Sequence, residues 1–159
     1  MGDIVATGKL KFTVLLSLSS MTAPPASELN AGVDLQTKIM RGGLDESHTQ
    51  SPVDNTHISS LKETEKGGTS KDEITVTFKR DDVTGQDIAY NTLVPGQQVY
   101  VVIRRDKLHT QAYAAGDVVS IYPMECGVRL PQPNTMNEPL QFQMKFFNHT
   151  EGKDAVTVV

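Results

Sequence analysis

Two short segments alternate apolar and polar residues without a break, and they constrain the fold more than anything else in this chain. In Glu73–Phe78, Ile74, Val76 and Phe78 fall on one side and Glu73, Thr75 and Thr77 on the other. In Gln141–Phe146, Phe142, Met144 and Phe146 oppose Gln141, Gln143 and Lys145. Side chains of a strand point to opposite faces in turn, so each segment reads as a strand with one buried and one wet face. Val99–Ile103 is apolar throughout and is expected to be covered on both faces. Val118–Leu130 changes apolar phase at Pro123, from Val119 and Ile121 to Met124, Cys126, Val128 and Leu130. A phase change at a proline predicts a bulge or a sheet edge there.

Helical signals are few. One flanking helix is expected over about residues 83–93, where Thr84 and Asp87 resemble a capping box and Asp81 and Asp82 suit the helix dipole. Ile88, Ala89 and Leu93 share its face, and Pro95-Gly96 ends it. A second short helix or turn can start at Ser27 and end at Gly32. Gly42–Ser70 is rich in polar residues, with Leu44, Val53, Ile58 and Leu61 its sparse apolar members. So polar a stretch reads as a long loop over 44–72, either mobile or ordered by a partner. The residues thus give a mainly β chain: a β-sandwich with one flanking helix and a long polar arm, in a single domain spanning 1–159.

Chemistry is harder to find. The charge of -4 argues against a domain that grips nucleic acid by its phosphates. The single cysteine, Cys126, excludes an internal disulfide and lies on the apolar phase of a strand, as a buried small hydrophobe would. His48, His57, His109 and His149 show no zinc-ligand spacing, although His48 and His57 could meet across a hairpin. Gly42-Gly43 and Gly67-Gly68 lack the strand-turn-helix setting of a phosphate cradle. Arg104-Arg105 is expected at a solvated hairpin end, and Asn148-His149-Thr150 fits a glycosylation sequon that matters only in a secreted protein. No catalytic, metal or cofactor site emerges. No apolar run approaches the ~20 residues of a membrane span. Lys9 and Lys11 before Phe12–Leu18 invite a signal-peptide reading, but the run is short and a strand is the better reading. A soluble intracellular chain that binds no membrane is the expectation.

The order of these pieces resembles the tail tube (major tail) proteins of phages with long, non-contractile tails, particularly those infecting actinobacteria. Ala6–Leu10 looks like the family's first strand, and Ala23–Leu35 like its Pro-rich link and Glu-Leu-Asn-Ala-Gly turn. Ile39–Leu44 sits where the family has a strand ending in an Asp-Gly-Leu-like turn, from which Gly42 departs. Ile74–Asp81 is similar to the strand before the family's helix. Leu93–Gly96 followed by Tyr100–Arg105 is similar to the segment after it. Ala114–Asp117 to Tyr122–Met124, and then Asn137-Glu138 with Gln141–Phe147, resemble the last strands.

This resemblance implies a structural virion protein and no enzyme. Such subunits form rings, usually hexamers, that stack into a tube around a tape-measure protein, end at a tail terminator, and later conduct double-stranded DNA into the host. One sheet of each subunit joins its neighbours in a continuous barrel, removing exposed edges. With about four strands from each of about six subunits, tilted ~40° and ~4.8 Å apart, the barrel is about 48 Å across and admits a duplex. The chain would reside in the tail of the virion, and in the host cytoplasm during assembly.

Candidate lumen-lining residues are Glu73, Thr75, Thr77, Gln141 and Gln143; the alternative is that these faces look outward to solvent. A conduit should lack basic density, and the net charge suits a repelling bore. Residues 1–34 form an N-terminal strand and arm, and the 44–72 loop is the candidate ring-to-ring contact, with Leu44, Val53, Ile58 and Leu61 as its apolar residues. Two other readings stand beside this one. The tube protein of a contractile injection system would share the fold and ring. A monomeric binding module such as a carbohydrate-binding jelly roll would want exposed aromatics, with which a chain of four Tyr and no Trp is poorly supplied.

Overall fold

The computed structural model describes residues 7–83 and 85–159. Its elements run β1 (Lys11–Leu15), α1 (Ala26–Asn30), β2 (Val33–Asp34), a 3-10 turn (Gln36–Lys38), β3 (Ile39–Asp54), β4 (Glu65–Lys79), α2 (Ile88–Thr92), β5 (Gln98–Arg104), β6 (Val118–Cys126), β7 (Leu130–Pro131), β8 (Gln141–Asn148) and β9 (Lys153–Thr157). All strands belong to one antiparallel sheet in the order β2-β1-β5-β6-β8-β4-β3, with β7 added to β8 and β9 to β6. None of the helices among the described residues is long and apolar enough to cross a membrane.

The sheet folds over on itself. Phe12 of β1 reaches Phe78 of β4 and Phe146 of β8, each at 6.4 Å between ring centroids, although these strands are not neighbours in the ladder. Two layers result, β2-β1-β5-β6 and β8-β4-β3, joined through β6. The expected alternation builds the space between them: Ile74, Val76 and Phe78 of β4 and Phe142, Met144 and Phe146 of β8 are all buried there against Phe12, Val14, Val99, Val101 and Ile103. Each such side chain contributes about 1.5–3 kcal/mol on leaving water. The sheet does not close into a barrel within one chain, since β2 and β3 remain its two ends.

The second cluster lies on the outer side of the first layer. Leu15, Val102, Val119 and Ile121 point away from the sandwich and are covered by Leu29 of α1, Tyr113 and Val158. Hydrogen bonds from Ala26 N–H to Val159 O and from Val159 N–H to Pro24 O tie α1 to the C-terminal segment. β5 is therefore buried on both faces, as its uninterrupted apolar sequence requires.

The same double burial explains β6 and corrects the reading of Pro123. Val119 and Ile121 serve the outer cluster while Tyr122, Met124 and Cys126 serve the inner one, so the phase change marks two cores rather than a bulge in β6, and the edge expected at Pro123 is a local one. Cys126 exchanges hydrogen bonds with Gly96 and Gln97 on the β5 side, so by alternation Pro123 faces the other way, where its carbonyl accepts from His149 N–H. On that side β6 changes partner, from β9 at Val118–Ile121 to β8 at Met124–Cys126. Pro123 thus falls at the changeover, where no ladder needs its missing N–H. The nearby register shift lies in β9, where Ala155 takes a φ of 54°.

Three further expectations are corrected. The helix over 83–93 is a single turn at Ile88–Thr92, because Gly85 at φ 89° still turns the chain and Leu93 is already extended. Thr84 of the expected capping box lies outside the described residues. Asp87, at the N-cap, makes no capping bond and instead accepts from Arg80 Nε at 2.7 Å. Asp81 serves no helix: it accepts from Lys38 and from Val83 N–H. α2 is held instead by Tyr90, whose ring lies 3.5 Å from the Arg80 guanidinium and 3.9 Å from that of Arg129, while Arg129 donates to the Tyr90 and Leu93 carbonyls. The first strand is Lys11–Leu15 rather than Ala6–Leu10, with Thr7 and Gly8 in a turn and Ala6 outside the described residues. In α1, Ser27 sits inside the helix, with Pro25 at the N-cap.

Candidate assembly surfaces

The expected polar loop over 44–72 is a hairpin. β3 and β4 pair from Ile39↔Phe78 out to Asp54↔Glu65, leaving a turn of only 55–64. Local sequence explains how a strand this polar forms. Leu44 lies opposite Val76 and packs on the inner core, which sets the register at the base. Two glycine pairs then place two irregularities. Between Ile39 and Leu44 the strand makes a wide bulge, with Gly42 at φ 73° and Gly43 so close to the Met40 and Thr77 carbonyls that a Cβ would stand 2.9 Å from each. Between Gln50 and Pro52 the extra residue is on β4, where a Cβ on Gly68 would meet the Ser51 carbonyl at 2.7 Å.

The base of the hairpin is clasped to the first layer by polar groups. His48 Nδ1 lies 2.8 Å from Asp72 Oδ1, and its ring stacks on Tyr122 with centroids 5.5 Å apart. Arg105 bridges Glu46 and Ser120 Oγ, which in turn donates to Asp154 at 2.6 Å. Beyond His48↔Asp72 the two strands continue alone for about 20 Å at ~3.4 Å per residue. At the far end Ile58 and Leu61 are fully exposed and Val53 is 42% exposed. The four apolar residues expected to act together therefore separate: Leu44 belongs to the core, Val53 to the shaft and Ile58 and Leu61 to the tip. His48 pairs with Asp72 across the hairpin, while His57 lies in the turn.

The five candidate lining residues are brought onto one face, the outer side of the β8-β4-β3 layer. Thr75 lies opposite Lys145, Thr77 opposite Gln143 and Lys79 opposite Gln141; across the other edge Asp45 lies opposite Thr75 and Ser47 opposite Glu73. Glu73, Thr75, Thr77, Gln141 and Gln143 are all half-buried, their β3 neighbours Asp45 and Ser47 are polar, and among the described residues no helix covers them as α1 covers the other layer. Leu130 of β7, opposite Gln143, extends the face.

Its electrostatics differ from the expectation of a negative surface. Asp45 and Glu73 give two negative charges against three positive from Lys71, Lys79 and Lys145, a sum of +1, whereas the whole chain carries -4. Glu73 lies between two of these lysines, with Lys71 Nζ at 2.6 Å and Lys145 Nζ at 3.8 Å from one carboxylate oxygen. The hydrogen bond from Lys71 and then the charge of Lys145 hold its carboxyl below the usual range. Lys79 in turn helps to lower the carboxyl of Asp81, after the Val83 N–H and Lys38.

Arg104 is neither solvated nor at a free hairpin end. It is fully buried, bound to Asp117 at 3.0 Å and to the carbonyls of Leu108, Gln111 and Ala112, and so pins the whole 105–117 loop over the outer cluster. Lys107 also contacts Asp117. Cys126 is buried, and desolvation pushes its thiol up to about 11, which leaves it without thiolate character near neutrality. Among the described residues no group of three or more His, Cys, Asp and Glu side chains is placed to hold a metal ion. Sequence reasoning missed Tyr122, Arg105 and Asp154, the body side of the clasp; alternation of Leu44, Glu46 and His48 was the one signal that this segment is a strand.

The fold is shared with subunits of known assemblies. The chain superposes with a TM-score of 0.54 on a chain of the virion of a native gene transfer agent particle, at 9% identity, covering 94% of this chain and 98% of that one. A subunit of the tail of the empty gene transfer agent particle, refined helically with C6 symmetry, gives 0.53 at 11% identity, again over 94% and 98%. A chain of the six-fold symmetrised anti-feeding prophage baseplate gives 0.55 at 10% identity over 98% of each. No curated protein sequence matches this one. The family model described as phage tail tube protein matches residues 1–159, the entire chain. A two-layered sheet with one face left open, and a family match from end to end, agree: the chain belongs to the phage tail tube protein family, whose members are structural components of the tail and not enzymes.

Proposed function

We propose that about six copies of this chain close into a ring and that rings stack into the tail tube, with the Glu73–Gln143 face turned inward. The observation that carries this reading is the contrast between the two layers. The outer side of β1-β5-β6 is sealed by α1, the 105–117 loop and the C-terminal segment, while the outer side of β8-β4-β3 is polar, uncovered and ends in the free edge of β3. A long unpaired edge is a hazard for a protein that stays alone and a joint for one that joins a closed sheet. β3, β4, β8 and β7 together supply about four strands per subunit, the number that gives a bore wider than a duplex. The C6 symmetry of the gene transfer agent tail and the six-fold symmetry of the prophage baseplate support a six-membered ring.

The hairpin supplies the contact to the next ring. A two-stranded ribbon is marginal in water without a third strand or a packed face, and here it carries two fully exposed apolar side chains at its tip. In this reading the tube forms around a tape-measure protein, is closed by a tail terminator, and conducts double-stranded DNA without binding it specifically; the subunits are made in the host cytoplasm and end in the virion tail.

Negative-stain microscopy of the concentrated protein, with a sedimentation profile, tests the proposal. Tubes or stacked rings with a central hole are expected. A chain that remains monomeric even when its tape-measure protein is added would overturn it.

A further inference from the structure

We propose that Glu73 masks Lys71 and Lys145, and that this mask is what keeps the inward face from gripping passing DNA. The inference rests on the tail-tube reading with this face inward. It starts from the charge balance: a face with three lysines and two carboxylates is not repelling by composition, so its neutrality depends on where those carboxylates sit.

The arrangement is local. β8 pairs with β4 only as far as Ile74↔Phe146, and Glu73 is the first β4 residue past that rung. Lys145 reaches it from β8 and Lys71 from two positions along β4, so three side chains stitch the point where β8 leaves β4 for β6. Asp45, the other carboxylate of the face, is opposite Thr75, and Lys79 feels Asp81 only through its charge, since that carboxylate is bound by Lys38 and the Val83 N–H. Removing the Glu73 charge therefore leaves two ammonium groups per subunit with no carboxylate bound to them. An ammonium free of a carboxylate is a phosphate contact, and contacts repeated around a ring and along a stack multiply weak grip. The lysines stitch the strands, and the carboxylate between them removes their affinity for the cargo.

The test uses tubes assembled from the full chain and a short labelled linear duplex, reading the fraction of DNA retained and protected from nuclease across a salt series. Glu73→Gln should raise the protected fraction and steepen its loss with salt, by about tenfold from roughly 50 to 200 mM for the two unmasked lysines at a slope of ~0.9 each. Adding Lys71→Gln and Lys145→Gln should return the tubes to the original behaviour. Glu73→Gln tubes of normal appearance that protect no more DNA than the unaltered protein would overturn the proposal. Extra DNA that binds but is digested would place this face outside and overturn both the mask and the inward orientation. Absence of tubes from the unaltered chain would instead sink the tube reading itself. If Glu73→Gln alone prevents assembly, the Lys71→Gln, Lys145→Gln pair decides: retention close to that of the unaltered tube is expected, and a marked fall, showing that the lysines already grip DNA beside Glu73, counts against the mask.

Discussion

The two outer faces of this sandwich are treated in opposite ways. On β1-β5-β6, side chains pointing away from the inner core are Leu15, Val102, Arg104, Val119 and Ile121, all buried under α1, Tyr113 and the C-terminal segment. On β8-β4-β3, the corresponding positions are Glu73, Thr75, Thr77, Gln141, Gln143 and Lys145, with no helix among the described residues laid over them. Folding needs only the inner core and one covered face. The second face is free to be shaped by assembly, which is where a tube subunit has to differ from a protein that works alone.

The sharpest way to break this comparison is through the covered face. Arg104→Ala removes the guanidinium that fixes the 105–117 loop and leaves Asp117 buried with Lys107 as its one side-chain partner among the described residues; a loss of about 3–5 kcal/mol is expected in chemical denaturation of the subunit. Asp117 adds a pH signature. Burial alone would raise its carboxyl, but hydrogen bonds from Lys107, the Ala114 N–H and Arg104 outweigh this and hold it below the ordinary 3.8. Its native form therefore keeps fewer protons than the unfolded chain, so its contribution is complete above the unfolded value and is lost as pH falls through the lowered one. Thermal melts of Asp117→Asn should show a less stable protein near neutrality and a flatter acid limb; an acid limb parallel to that of the unaltered protein would remove Asp117 from this role.

How much of this was legible in the sequence follows from the period of each segment. The inner core was readable because Glu73–Phe78 and Gln141–Phe146 each keep one face apolar, and the structure pairs those two segments side by side. β6 was misread at Pro123 because a strand with two cores has apolar residues in both phases, and one-dimensional alternation cannot tell this from a slip. The hairpin was hidden for the opposite reason. Beyond Leu44 neither face of β3 meets an apolar core, so its strand character rests on cross-strand hydrogen bonds and on a histidine–tyrosine stack with a residue 74 positions away. Arg104 gave no warning either: a buried arginine is held by carbonyls of its own following loop, which composition does not reveal.

Two weaker substitutions probe the junction of the open layer with its hairpin. Gly43→Ala puts a methyl against two backbone carbonyls that cannot both retreat, so the bulge must open and a loss of about 1–3 kcal/mol is expected, with hydrogen exchange faster along Ile39–Leu44. Arg105→Ala cuts the clasp at a half-exposed ion pair worth at most about 1 kcal/mol. Global denaturation should hardly register it. Amide exchange along residues 44–72 should quicken while that of β5 stays slow, and uniform acceleration of both would mean that hairpin and body are a single cooperative unit.

The smallest effect on folding should come from the open face itself, and for that reason it can report orientation. Thr75→Cys changes a half-buried polar side chain away from either core, and stability should stay within about 0.5 kcal/mol. The new thiol stands out because the native Cys126 is buried, with its thiol pushed up to about 11, and reacts slowly near neutrality. In the free subunit a small and a protein-sized maleimide should both label position 75. In the tube the small reagent should still enter through the open ends, whereas the large one should be excluded if the face lines the bore. Equal labelling by both reagents in intact tubes would turn the face outward. The contrast between the two layers would then reflect contact with something outside the tube.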